Sequence, residues 1–152
     1  MRFQLETLGV RQIDRELVGI SGNISDMSGC ADEIFKIIRS ANRKQFDSEG
    51  AYGSGGWPAL APSTVAYKAA RNLDPRILRA TGDMFRALTS DDSLSVAAPR
   101  KDGLVFGTTL PYAPYHQQGR GVPKRPPVEL RETDRRDIIK VIQRFVVEGG
   151  DI

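Results

Sequence analysis

Apolar side chains recur every three or four residues from Val10 through Ile13, Leu17, Ile20, Ile24, Met27, Ala31, Ile34 and Ile38 to Ala41. That spacing draws one stripe along a helix. Run straight, the stripe would make a rod of roughly 47 Å at ~1.5 Å per residue. A compact chain of this size has a radius of gyration of only ~15 Å. Gly19, Ser21, Gly22, Ser25, Ser28 and Gly29 are weak interior helix residues, so a break is placed near residues 21–29. The stripe keeps its phase across that break, and two stacked helices or one bent helix both satisfy it. Upstream, Met1–Leu8 alternates, with Phe3 and Leu5 opposite Gln4 and Glu6, as a short strand does.

Downstream the pattern changes. Asp47–Gly56 carries Gly50, Gly53, Gly55 and Gly56 and reads as a flexible loop over residues 47–56. Pro62 stands where a helix accepts proline, in its first turn, although Ala61 is a poor cap before it. Asp74-Pro75 repeats the cap-plus-proline signal. Ile77, Leu78, Met84, Phe85 and Leu88 then follow helical spacing, with Thr81-Gly82 as a break or new cap. Leu94–Ala98 and Leu104-Val105-Phe106 alternate around the polar turn Pro99–Gly103, which predicts a hairpin. Pro111, Pro114, Pro123, Pro126 and Pro127 make residues 111–127 an expected extended surface segment. Ile138, Val141, Ile142 and Phe145 place a last helix over Asp134–Val147. The sum is an α+β fold in a single domain over residues 1–152. It has a long N-terminal helix, broken near 21–29, and a C-terminal helix packed on a small antiparallel β-sheet, with long extended loops.

Composition removes chemistry. One cysteine leaves no internal disulfide, and one cysteine with one histidine leaves no Cys/His zinc site within the chain. The net charge of +3 is mildly basic, far from that of a DNA-coating protein. No apolar run reaches the ~18–20 residues of a membrane helix, and no signal peptide is legible, so synthesis in the cytoplasm without membrane contact is expected.

The remaining chemical candidates are thin. The glycine loop ends in Gly56-Trp57-Pro58 rather than the Gly-Lys-Ser/Thr of a phosphate-binding loop. His116 has no nucleophile or orienting partner in sequence, and Cys30 reads as a small buried residue. Asp14, Glu16, Asp26, Asp32, Glu33, Asp47 and Glu49 show no metal-ligand spacing. No catalytic residue, metal or cofactor is therefore expected. Arg120, Lys124, Arg125, Arg131, Arg135 and Arg136 are interleaved with Glu129, Glu132, Asp134 and Asp137. A small nucleic-acid-binding module using this basic region is the alternative reading, against ordinary surface ion pairs. Trp57, Tyr112 and Tyr115 are of the types enriched at interface hot spots, and core and interface roles are evenly balanced for them.

Several short motifs occur in a recognisable order. Trp57-Pro58-Ala59-Leu60-Ala61-Pro62-Ser63-Thr64 is followed by Lys68. Then come Ile77-Leu78-Arg79-Ala80-Thr81-Gly82-Asp83-Met84 and Phe106-Gly107-Thr108. Tyr112-Ala113-Pro114-Tyr115-His116-Gln117-Gln118-Gly119 and Pro123-Lys124-Arg125-Pro126 complete the series. In this order the chain resembles the phage virion morphogenesis (tail completion, neck protein) family. It departs from the family pattern at Ala61 in place of a serine cap, at Gln118 in place of an aromatic, and at Pro127 in place of phenylalanine.

The resemblance implies a non-enzymatic virion protein at the head–tail neck or connector, or at the head-proximal end of the tail. Such a protein works as a homo-oligomeric ring, needed for tail completion and head–tail joining. Its expected partners are copies of itself, neighbouring neck or connector proteins and tail tube or tail terminator proteins, with non-specific DNA contact in the lumen as a further expectation. Trp57, Tyr112, Tyr115, His116, Arg120 and Arg125 are the candidate protein-interface residues.

Overall fold

The computed structural model describes residues 7–149, with side chains from residue 15 onward. Helix α1, Thr7–Ser25, and helix α2, Ala31–Asp47, are the two halves of the long stripe. Between them the chain leaves the helix at Asp26 and Met27 and makes a 3-10 turn, Ser28–Cys30. The break has a local cause. The Asp26 carboxylate accepts both the Ser28 amide, at 3.0 Å, and its hydroxyl, at 2.6 Å, so this side chain competes with the helical ladder. The turn also passes close to the last helix, where a Cβ on Gly29 would stand 2.7 Å from the Phe145 ring. The strand expected over Met1–Leu8 falls mostly outside the described residues, and its last two positions, Thr7 and Leu8, are helical.

Helix α3 spans Pro62–Ala70, with its proline in the first turn as expected. The helix suggested at Asp74-Pro75 does not form there. The Asp74 carboxylate instead accepts the Arg76 amide at 2.9 Å, and Leu78 takes a positive φ of 59°, which ends any helical run. Helix α4, Asp83–Thr89, starts only after Gly82. Strands β1, Ser95–Arg100, and β2, Gly103–Thr108, form the predicted antiparallel hairpin, with Ala97 opposite Phe106. Helix α6 spans Glu132–Glu148.

The proline-rich segment departs from its expected extended path, because helix α5, Ala113–Gln118, lies within it. Pro114 sits in the first turn, where the missing amide hydrogen has no helical acceptor to lose. Gly119 closes the helix in the left-handed region at φ 71°.

Two apolar clusters meet along α2. Phe46 joins Trp57, Ile77, Met84, Leu88 and Ala113 in one. Ile34 and Ile38 join Cys30, Val141 and Phe145 in the other. Phe106 of the hairpin is packed against both, so helices and small sheet share one core as the α+β reading requires: α2 and α4 lie on the strands, and α6, packed on α1 and α2, meets the hairpin through Leu104 and Phe106. The stripe on α2 is therefore spent on the core. Helix α1 packs on α6, yet among its described side chains Leu17 and Ile24 of the stripe are exposed, at 58% and 57% of their surface, as is the neighbouring Val18 at 73%.

Candidate interaction surface

The two irregular segments singled out by sequence are bonded to each other. Gln45 is fully buried on α2 and acts as the hub. Its Oε1 accepts the Gly53 amide at 2.8 Å, and its Nε2 donates to the Pro126 carbonyl at 3.0 Å and to Ser54 Oγ. Trp57 Nε1 donates to the same Pro126 carbonyl at 3.2 Å. Tyr52 at the loop's tip donates its hydroxyl to Asp134 of α6 at 2.8 Å. The loop expected to be free is thus a hydrogen-bonded turn. Gly50 explains one of its glycines: φ is +87°, and a Cβ there would overlap the Trp57 indole.

The proline segment is held as firmly. Gln117 donates to the Val128 carbonyl at 2.9 Å and accepts the Val128 amide at 3.1 Å, so one side chain substitutes for a strand partner. Arg125 is turned inward, with Nε on the Pro58 carbonyl and Nη2 on the Ala59 carbonyl, both at 2.8 Å.

These bonds sort the six candidate residues. Trp57 lies in the core, edge-on to Phe46 with ring centroids 5.5 Å apart, and Arg125 is buried beneath the loop exit. Both brace the surface rather than present themselves on it. Tyr112 and Tyr115 are exposed, at 39% and 48%, and Arg120 is exposed just beyond α5. His116 is half-buried between them. Its Nδ1 is buried without a hydrogen-bond partner, and burial, then the nearby Arg125 charge, pushes its pKa below the ordinary 6.5.

Tyr112, His116 and Arg125 also line a cavity of about 620 Å³ between α3, the start of α4 and α5. Lys68 of α3 faces the same cavity, buried, with Nζ donating to the Arg76 carbonyl at 2.7 Å. Burial lowers its pKa. In sequence Lys68 holds a motif position without a role, and Gln45 carries no reading. A signal for Gln45 existed, since Ile34, Ile38, Ala41 and Gln45 continue the stripe in phase, and a polar residue on an apolar face needs a bonded partner.

The basic C-terminal region is partly committed elsewhere. Arg125 is internal, Arg131 lies over the Tyr52 ring at 5.1 Å, and Arg136 pairs with Glu132 at 3.4 Å. Cys30 is buried in the α2–α6 cluster, its thiol on the Met27 carbonyl and pushed up in pKa by burial. Among the described residues no group of His, Cys, Asp and Glu could hold a metal ion, and no described helix is long and apolar enough to cross a membrane.

Stiffened loops that present aromatic and apolar side chains outward are features of surfaces that make protein contacts. The phage virion morphogenesis family model matches residues 8–146, and the chain belongs to that family. No curated protein and no solved structure matches the chain. Membership points to a structural role in the phage virion rather than a catalytic one.

Proposed function

We propose that this protein forms a homo-oligomeric ring at the head–tail neck or connector, or at the head-proximal end of the tail, and is needed for tail completion and head–tail joining. A ring needs two different surfaces on each subunit, one meeting the other on the next copy. The observation that supports the reading is that side chains suited to contact stand exposed on two different elements. Leu17, Val18 and Ile24 are exposed on α1, and the braced segment presents Tyr112, Tyr115 and Arg120. Burying a Leu or Ile side chain gains ~1.5–3 kcal/mol, so a neighbour covering these α1 side chains gains stability that the single chain leaves unused. A pre-formed tyrosine surface loses little entropy on docking. Neighbouring neck, connector, tail tube or tail terminator proteins are the further partners. Electron microscopy of the purified protein and of virions carrying Tyr112→Ala with Tyr115→Ala tests the reading. Rings from the parent protein, and heads and tails left unjoined by the variant, support it. Normal particles from the variant overturn it.

A further inference from the structure

We propose that the cavity between α3, α4 and α5 is a docking pocket for an acidic, apolar-anchored peptide segment of a neighbouring protein subunit. An apolar side chain of that segment enters the Leu60–Leu78–Met84 floor, and its carboxylate meets Arg125 and Lys68. This rests on the reading of the protein as one that joins others, and it names the chemistry of one partner surface.

Two features select this occupant. The first is shape and polarity. The cavity is about 620 Å³ and walled by Leu60, Leu78, Ala80, Met84 and Val122, within the ~300–1,000 Å³ of pockets that take an apolar group with a few fixed polar contacts. The second is an unmatched positive charge at its wall. Arg125 spends Nε and Nη2 on neutral carbonyls. Among the described residues no carboxylate pairs with it, and its Nη1 has no acceptor. Lys68 spends one of its three donors, again on a carbonyl. His116 adds a further nitrogen donor or acceptor with no partner, and the Arg125 charge reaches both Lys68 and His116.

The acids nearby are already engaged. Asp74 and Glu49 act on the Lys68 charge from nearby, but Asp74 is bonded to Arg76 and Glu49 accepts the Ile77 amide at 2.9 Å; Asp83 at the rim is bonded to Thr81 and Arg86. A buried cation without a counter-charge is costly, and a carboxylate relieves that cost through charge-assisted bonds. A purely apolar occupant would leave Arg125 without a counter-charge, and an inorganic anion would leave the apolar floor wet. A peptide carrying both groups satisfies both, and its backbone would lie across the exposed Tyr112 at the mouth.

The test uses the full chain at a concentration where it sediments as a monomer. The probe is the acetylated, amidated tetrapeptide Gly-Leu-Glu-Gly, with Gly-Leu-Gln-Gly and Gly-Gly-Glu-Gly as controls. The single histidine gives one imidazole signal to follow by NMR. Binding of the Leu-Glu peptide shifts that signal and raises the His116 pKa, because a carboxylate arrives beside it. Each control binds weaker by about tenfold or more, the loss expected for one charge-assisted bond or one buried apolar side chain. Lys68→Met weakens the Leu-Glu peptide similarly, and Thr64→Trp, which fills the cavity from α3, abolishes its binding while the melting curve stays cooperative. No shift of the His116 signal, equal binding of the Gln peptide, or undiminished binding by Thr64→Trp overturns the proposal. Rings without peptide binding defeat only this proposal, and peptide binding by a protein that forms no ring defeats only the ring.

Discussion

The Trp57 indole donates to the Pro126 carbonyl at 3.2 Å across 69 residues of sequence, closing the exit of the glycine loop onto the proline-rich segment. Gln45 Nε2 reaches the same carbonyl at 3.0 Å. One buried oxygen thus joins α2, the loop and the segment that leads away from α5.

The two donors should be unequal. Trp57→Phe keeps most of the ring and loses one neutral hydrogen bond, a cost of about 1 kcal/mol beyond the lost ring volume. Gln45→Leu removes the partner of the Gly53 amide, the bond to Ser54 and one of the two donors to Pro126, at about 1 kcal/mol for each lost bond. Urea denaturation should rank Gln45→Leu as the more destabilising, and limited proteolysis should cut it first within residues 48–56.

Two glycines of the same loop provide a matched comparison. Gly50 has φ +87° and no room beside Trp57, whereas Gly55 has φ +72° and nothing within 4 Å. Gly55→Ala should cost only the left-handed penalty of roughly 1–2 kcal/mol. Gly50→Ala adds a displaced indole and should lower the melting temperature clearly further. Equal losses would mean that the packing of Trp57 on Gly50 contributes nothing.

His116 sets a pH dependence of known sign. Its pKa in the folded protein lies below the ordinary 6.5, through burial first and Arg125 second. As pH falls below 6.5 the unfolded chain binds a proton that the folded chain does not, so stability falls. It is fully present above that value. An NMR titration of the lone imidazole should give an apparent pKa below 6.5, and His116→Gln should flatten the stability profile in this window.

The exposed α1 side chains make a separate prediction. Leu17→Lys with Ile24→Lys changes side chains that are already more than half exposed, so the monomer's unfolding midpoint should move little. Sedimentation should nevertheless show loss of assembly, since a lysine pair would have to be desolvated in the interface.

Much of the architecture was legible because it rests on periodicity. The stripe, the hairpin and the last helix follow from spacings of 2 and 3.6, and the break follows from the glycines and serines within the stripe. Pro62 marks a helix start in sequence and in structure, whereas five prolines over residues 111–127 hide α5, whose Pro114 is tolerated because it sits in the first turn. Asp74-Pro75 misled in the opposite direction, since Asp74 caps a turn and Leu78 then takes a positive φ.

The surface was less legible for a physical reason. Sequence leaves Trp57 balanced between core and interface and offers Arg125 as an interface residue, yet irregular chain can be buried when its carbonyls find donors. Here the donors are Gln45, Trp57 and Arg125 themselves. Such pairings span more than sixty residues, and no local pattern announces them. The exposed α1 side chains were equally silent, because a stripe reports that a face is apolar and not what covers it.

The proposed role, joining virion parts through repeated surfaces of this protein, is tested by electron microscopy of particles assembled with Tyr112→Ala and Tyr115→Ala beside the parent. The expected result is a ring of this protein between head and tail in the parent, and separate heads and tails in the variant with the purified variant still folded. Joined, infectious particles from a folded variant, or a parent protein located away from that junction, would contradict it.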